Sequence, residues 1–501
     1  MCLNLGYFLF VFVWLLLRRH SLERAVKTQT DKTNQQQQQQ QQQERRPDTQ
    51  LVDSEQKDGE GGRGGGKKKN NNNKKTTTTT TTEEQHGEKH KQTKQTSKKD
   101  RSGSKMLRFR PRVFQTNTTR LHWAFLFKRR LQSTASGFRE ASWIAPPANK
   151  AVAHWLYCSA ALVGGVVVIG GITRLTESGL SIVDWKPVTG VRPPITHKEW
   201  EEEFARYQNY PEFKQKDKMT LEEFKFIFFW EWAHRVLARS IGLVYGLPMM
   251  YFFWKGRFKG QKALTGSIIA ILALGGAQGA MGWYMVRSGL DPRLLEEKRK
   301  ATVSAYRLAA HLVLAFTIYA SMMRIGFGLK LPRPVNFQGN TTVQSFARLS
   351  FAVVFCTVVS GAFVAGLDAG LMYNNEFPWM GGGVVPPRDH LLVVEPWWRN
   401  ALENPAAAQT WHRLMAAVST VSILGLNAAC VLHSAALPKM LRRSIISVNG
   451  VLALQVGLGI WTVISYVDIP IATAHQLGSL LLLTTIIRLC AVLGSRGLCL
   501  A

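Results

Sequence analysis

From about residue 150 onward, long apolar runs alternate with shorter polar connections. Eight of these runs reach the roughly twenty residues that a helix needs to cross a hydrocarbon core. They cover 152–172, 226–252, 263–286, 303–325, 347–367, 409–432, 444–466 and 470–493. The pattern predicts an all-α polytopic membrane protein. The connections 255–262, 324–348 and 437–443 are basic, so the positive-inside rule puts them on one side of the membrane together with both chain ends. The longer loops 173–225 and 368–408, and the connection 287–300, then lie on the other side.

Stacking the runs exposes an internal repeat. EWAHRVLA (231–238) resembles TWHRLMAA (410–417), and Gln278 with GAMG resembles Gln455 with VGLG. LAAHL (308–312) resembles AHQL within ATAHQL (472–477), and GGITRLTESGL (170–180) aligns by its glycines with SGAFVAGLDAGL (360–371). The expected architecture is therefore two pseudo-symmetric four-helix bundles, spanning residues 151–335 and 336–501. Small-residue steps at Gly242/Gly246 and Gly275/Gly279 are expected to allow close helix contacts.

Composition changes the picture mainly at the front of the chain. Averaged over all 501 residues the sequence looks soluble, with a formal net charge of +30. Yet residues 1–150 hold 30 Lys/Arg against 13 Asp/Glu, so more than half of that charge lies ahead of the apolar runs. Residues 1–105 contain a Gln tract (Gln35–Gln43), an Asn run and a Thr tract (Thr76–Thr82), which offer nothing from which to build a core. They read as a disordered, solvated extension. Without an aromatic or fold motif beside the basic residues, nucleic-acid binding is not expected.

Two targeting signals compete in this region. The opening LGYFLFVFVWLLLRRH resembles a signal-peptide core but is short for a span and lacks a basic start. Met106–Arg139 is Arg-rich, contains Ser and Thr, and has no acidic residue. That is the composition of a mitochondrial transit peptide. Residues 106–150 are thus read as transit peptide and linker, with Met106 as a functional start. The six cysteines form no CxxC pair, so neither a disulfide framework nor a thiolate metal site is expected.

The candidate chemistry sits inside the apolar runs, where a charge costs roughly 2.5–3.5 kcal/mol at the membrane centre. FFWEWAHRVLAR (228–239) nevertheless carries Glu231, His234, Arg235 and Arg239. His234, His311, His412 and His475 each lie on an even-numbered run, near the end entering from the outer side. In each half, two imidazoles on helices of the same direction are placed to approach a haem iron from opposite faces of the ring. A helix-to-helix hydrogen bond is the bland alternative for a single histidine, but it does not account for four at matched depth in both halves. Arg235 and Arg413 follow the first histidine of each half, and their guanidinium forks suit haem propionates, with snorkelling to lipid headgroups as the alternative. Arg307 is a further candidate in the first half only. Glu231 precedes His234 by one turn on the same face, whereas the corresponding residue in the second half is Gln409. That asymmetry suggests a reacting site and a cofactor site. The alternative for Glu231 is an ion pair with Arg235.

EWAHR with His311, WHR with His412, AHQLGSLLLL with His475, and above all GGITRLTESGLSIVDWKPVTGVRPP (170–194) resemble the haem A synthase family of mitochondrial type, over about residues 150–495. The resemblance implies an inner-membrane oxidoreductase that oxidises the C8 methyl group of haem O to a formyl group, making haem A for cytochrome c oxidase. It implies haem O as substrate between His234 and His311, and haem b as cofactor on His412 and His475. Glu231 matches the family's ExxHR glutamate and is the expected catalytic residue. Family partners are a ferredoxin electron donor and the haem O synthase that supplies substrate; a homo-oligomer is left open. Some bacterial relatives carry a cysteine pair in the first outer loop, and residues 173–225 contain none. Two rivals remain at this level. A bis-histidine transmembrane cytochrome predicts two similar haems and tolerance of Glu231 loss, and a repeat-built transporter predicts a protein without haem.

Overall fold

The computed structural model describes residues 143–144, 149–186, 189–216, 218–331, 333–334, 341–433 and 438–494. The predicted extension (1–105) and almost all of the predicted transit segment lie outside them.

Among the described residues, eight helices are long and apolar enough to span a membrane. They are α1 (Lys150–Leu175), α2 (Leu221–Trp254), α3 (Lys262–Gly289), α4 (Ala305–Lys330), α5 (Thr341–Gly366), α6 (Pro405–His433), α7 (Lys439–Ile464) and α8 (Ile469–Val492). Every predicted span is present, most of them a turn longer than the apolar run. The start of α2 shows how such an extension arises. There the Thr220 hydroxyl accepts from the Glu223 amide while the Glu223 carboxylate accepts from the Thr220 amide, a reciprocal cap that adds polar turns ahead of the membrane segment. A two-residue antiparallel ladder pairs β1 (Trp143–Ile144) with β2 (Arg333–Pro334).

Packing repeats between the halves. In the first, α1 lies against α2 and α4, and α3 against α4; in the second, α5 lies against α6 and α8, and α7 against α8. The first and last helices of each half also meet across the join, through α4–α5, α4–α8 and α1–α8. That seam is apolar, with Leu156, Phe316, Met322, Leu480, Leu483 and Ile486 fully buried. The Tyr319 hydroxyl pairs with Thr484 at 2.7 Å across α4 and α8. Within the second half, Asn427 and Asn449 exchange amide hydrogen bonds at 2.8 and 3.1 Å between α6 and α7, a polar join worth about 1 kcal/mol in lipid. By contrast α2, α3 and α7 expose Leu243, Leu247, Ile269, Leu454 and Trp461, as lipid-facing surfaces do.

Two expectations are overturned. Among the described residues, a methyl group added at Gly242, Gly246, Gly275 or Gly279 would meet nothing within 4 Å, so these steps do not mediate close helix contacts. The cysteine spacing gave no expectation of a disulfide, yet Cys158 is disulfide-bonded.

Candidate functional site

All four histidines are seated in the same way, each against a glycine of the preceding helix. A Cβ at Gly170 on α1 would come within 2.8 Å of His234 Cε1 on α2, and one at Gly282 on α3 within 3.1 Å of His311 Cε1 on α4. The second half repeats this with Gly361 on α5 against His412 on α6 (3.1 Å) and Gly459 on α7 against His475 on α8 (2.9 Å). In every case Nδ1 is on the glycine side and Nε2 is the more distant nitrogen. The backbone carbonyls one turn before those glycines, at Val166, Gln278, Thr357 and Gln455, face the same rings. Nδ1 of His234, His311 and His475 is fully buried without a hydrogen bond of ordinary geometry, yet the residues as a whole are only half-buried. The accessible edge is therefore the Nε2 edge, turned into the interior of each half. These glycines were legible only as repeat markers, because their role depends on which helix the next imidazole leans against.

Within each pair the two histidines come together. His311 lies close enough to His234 for the rings to interact electrostatically. The His412 and His475 rings are 6.4 Å apart, centre to centre, with planes at 90°. A metal bound by both Nε2 atoms at about 2.0–2.1 Å, with about 1.2 Å from nitrogen to ring centre, would set the centres about 6.4 Å apart. The C-terminal pair thus fits an iron held between two imidazoles. Arg413 adds a second sign of fit: among the described residues its Nε and Nη2 are buried without a hydrogen-bond partner, while Nη1 donates to the Pro378 carbonyl at 3.3 Å and the group lies 5.4 Å over the Phe377 ring. A buried, partly unpartnered guanidinium beside a ligand pair suits a carboxylate.

The N-terminal arginines are more heavily engaged. Arg235 Nη2 donates to Glu231 Oε1 at 2.6 Å and to the Ile182 carbonyl at 3.0 Å. Arg239 Nη2 donates to the Lys186 carbonyl at 2.8 Å. Arg307 donates to the Tyr284 carbonyl at 2.7 Å and stacks 3.7 Å above the Tyr284 ring, which places it on α3. Glu231 is 2 % exposed, and its Oε2 accepts from Ser181 Oγ at 2.7 Å and the Ile182 amide at 2.8 Å. The ion pair weighed as the alternative for Glu231 is present, and with it a latch that fastens the first outer loop to α2.

Gln409 does the equivalent job in the second half, donating to the Met372 carbonyl at 2.8 Å. Ser181 and Met372 both follow the Gly-Leu pair shared by the two loops, so the repeat extends to the latch, with only the charge changed. Beyond its latch the first loop folds on α2: Tyr207, Phe224 and Phe228 are buried together, and the Trp232 indole donates to the Val191 carbonyl at 2.9 Å. The loop is thus a structured cover along the first turns of α2.

Fold and site together define a duplicated eight-helix membrane protein whose interior presents paired imidazoles. Residues 153–487 match the sequence model of the COX15-CtaA family, described as cytochrome oxidase assembly protein, and the chain belongs to that family. It is 41% identical over 362 residues to "Heme A synthase COX15" of Saccharomyces cerevisiae, covering 67% of this chain and 74% of that protein. Identity to the Homo sapiens protein of the same name is 42% over 340 residues, covering 67% and 81%. The "Heme A synthase-mitochondrial ferredoxin fusion protein" of Schizosaccharomyces pombe is 42% identical over 373 residues, covering 68% of this chain and 59% of the fusion.

Proposed function

We propose that this chain is a haem A synthase of mitochondria, oxidising the C8 methyl group of haem O to a formyl group to make haem A for cytochrome oxidase. The observation that carries this reading is family membership across all eight spans, joined to two imidazole pairs on glycine seats. The N-terminal half takes haem O between His234 and His311; the C-terminal half holds haem b on His412 and His475. When bound, haem b supplies one-electron transfer between a donor and the substrate pocket. Arg413 receives a propionate through its unpartnered nitrogens, and Arg235 lies in the corresponding place in the other half.

Glu231 is the catalytic carboxylate, one turn from His234 and held rigid by Ser181, Ile182 and Arg235. A fixed carboxylate beside the substrate ring would stabilise positive character at the methyl position; the neutral Gln409 amide would not. A ferredoxin is the electron donor, a reading supported by the natural fusion of the two in one relative. The inner membrane is the site, with the basic connections and the N-terminus in the matrix.

The test is mass analysis of haems from cells lacking their own haem A synthase and supplied with this chain. Haem A is expected to appear; haem B and haem O alone, with the protein inserted and haem-loaded, would favour a plain cytochrome. Glu231→Ala is expected to cut haem A output at least tenfold while His412 and His475 keep their haem, and unchanged output would defeat the catalytic assignment.

A further inference from the structure

The two halves differ in what lies beside the first histidine of each. Ser360 Oγ lies 2.7 Å from the Thr357 carbonyl and 2.9 Å from His412 Nδ1. A carbonyl has no proton to give, so at that distance the hydroxyl proton points at Thr357. The same oxygen then offers His412 only lone pairs. Nδ1 must carry the imidazole proton, and Nε2 is left bare to bind a metal.

The equivalent residue in the first half, one before Gly170, is Ile169, which is buried and apolar. His234 Nδ1 accordingly has no hydroxyl partner. The second histidines differ as well: His311 Nε2 faces the Gln278 amide nitrogen at 3.2 Å, whereas the Gln455 oxygen lies against Gly478. Each first histidine has a carbonyl on its Nδ1 side, Val166 for His234 and Thr357 for His412, but of the two only His412 adds a hydroxyl at hydrogen-bond distance, and in the first half the Nε2 of His311 is already engaged.

We propose that Ser360 is a positioning residue that fixes His412 in the Nδ1-protonated form and makes the C-terminal pocket the tightly held haem site, while Ile169 leaves the N-terminal pocket able to exchange its haem. The inference rests on the reading that His412 and His475 hold a haem. Its physical basis is general: an acceptor on the far nitrogen orients a metal-bound imidazole and raises its basicity, and losing it typically costs about 10–100-fold in affinity.

The experiment uses full-length protein purified in detergent with its haem, mixed with excess apomyoglobin as haem acceptor. Transfer rate and the low-spin ferric EPR signal are recorded for wild type, Ser360→Ala, Ser360→Thr and His412→Ala. Ser360→Ala is expected to release haem about 10–100-fold faster and to shift the signal, and Ser360→Thr, which restores the hydroxyl, to return both towards wild type. Wild-type release and an unchanged signal in Ser360→Ala overturn the proposal. If His412→Ala has then lost the C-terminal haem, the haem-site reading stands without the lock; full haem content in His412→Ala overturns that reading itself. Should Ser360→Ala fail to insert, Ile169→Thr gives a separate test: it is expected to slow release from the N-terminal pocket after loading with haemin, and an unchanged rate counts against the lock.

Discussion

At the scale of residues, the site is built by close approach. Each imidazole has the room it occupies because the facing residue lacks a Cβ, and the four clearances are unequal: 2.8 Å at Gly170, 2.9 Å at Gly459, and 3.1 Å at both Gly282 and Gly361. Below about 3 Å the ring has to move; slightly above, a shift of a few tenths of an ångström suffices. Gly170→Ala and Gly459→Ala are therefore expected to disturb haem binding more than Gly282→Ala and Gly361→Ala, with overpacking costs of about 1–3 kcal/mol. Haem-to-protein ratio and Soret position of the four purified variants check the ranking, and equal behaviour would show that the helices adjust freely. Glu231 and Gln409 make the companion point about residue identity. Both fasten a loop to the second helix of their half, Glu231 with an added ion pair to Arg235 and Gln409 through its amide alone.

Among the elements, the spans were legible because lipid imposes a length and a composition, and neither depends on partners. Their ends were less so, as the α2 start illustrates: Thr220 and Glu223 extend the helix by reciprocal capping, which hydropathy does not register. The same motif starts His197–Gln208 in the first outer loop, where Glu199 accepts from the amides of Ile195 and Thr196 at 2.7 and 3.2 Å. Those amides, and more weakly Arg192, hold the Glu199 carboxyl below its ordinary range. A depressed carboxylate contributes stability that is present above the unfolded value, about 4.3, and lost as pH falls through the folded one. The start of this loop helix is expected to loosen only in acid, and Glu199→Gln to remove that dependence. Limited proteolysis with an acid-active protease across this range checks it; an identical pH profile in the variant would rule it out.

On the scale of the whole molecule, the join between halves combines the apolar seam with charges near the end of α1 and the start of the segment after α5. Arg174, in the last turn of α1, pairs with Asp368 after α5 at 2.7 Å, and Lys300 reaches both Asp368 (2.9 Å) and Glu177 (3.0 Å). Asp368 adopts a left-handed backbone with φ of 53°, so Asp368→Asn removes the charge while keeping a side chain tolerated there. That variant is expected to lower thermal stability by about 1 kcal/mol, with a double-mutant cycle against Arg174→Gln recovering the shared part. Additive losses in the cycle would mean the pair does not couple the halves.

The sequence by itself determined the eight spans, the duplication, the four histidines and the Glu231/Gln409 exchange, because each is a matter of residue type and order along the chain. Tertiary structure decided which groups face one another. It showed Glu231 bound to Arg235 and the first loop, Arg307 drawn onto Tyr284, and the Gly242/Gly246 and Gly275/Gly279 steps making no close helix contact. It also showed Gly170, Gly282, Gly361 and Gly459 as the seats of the imidazoles. The physical reason is that a bilayer selects a helix from its own composition, whereas the direction of a side chain depends on helix rotation and neighbour spacing, which packing between helices sets.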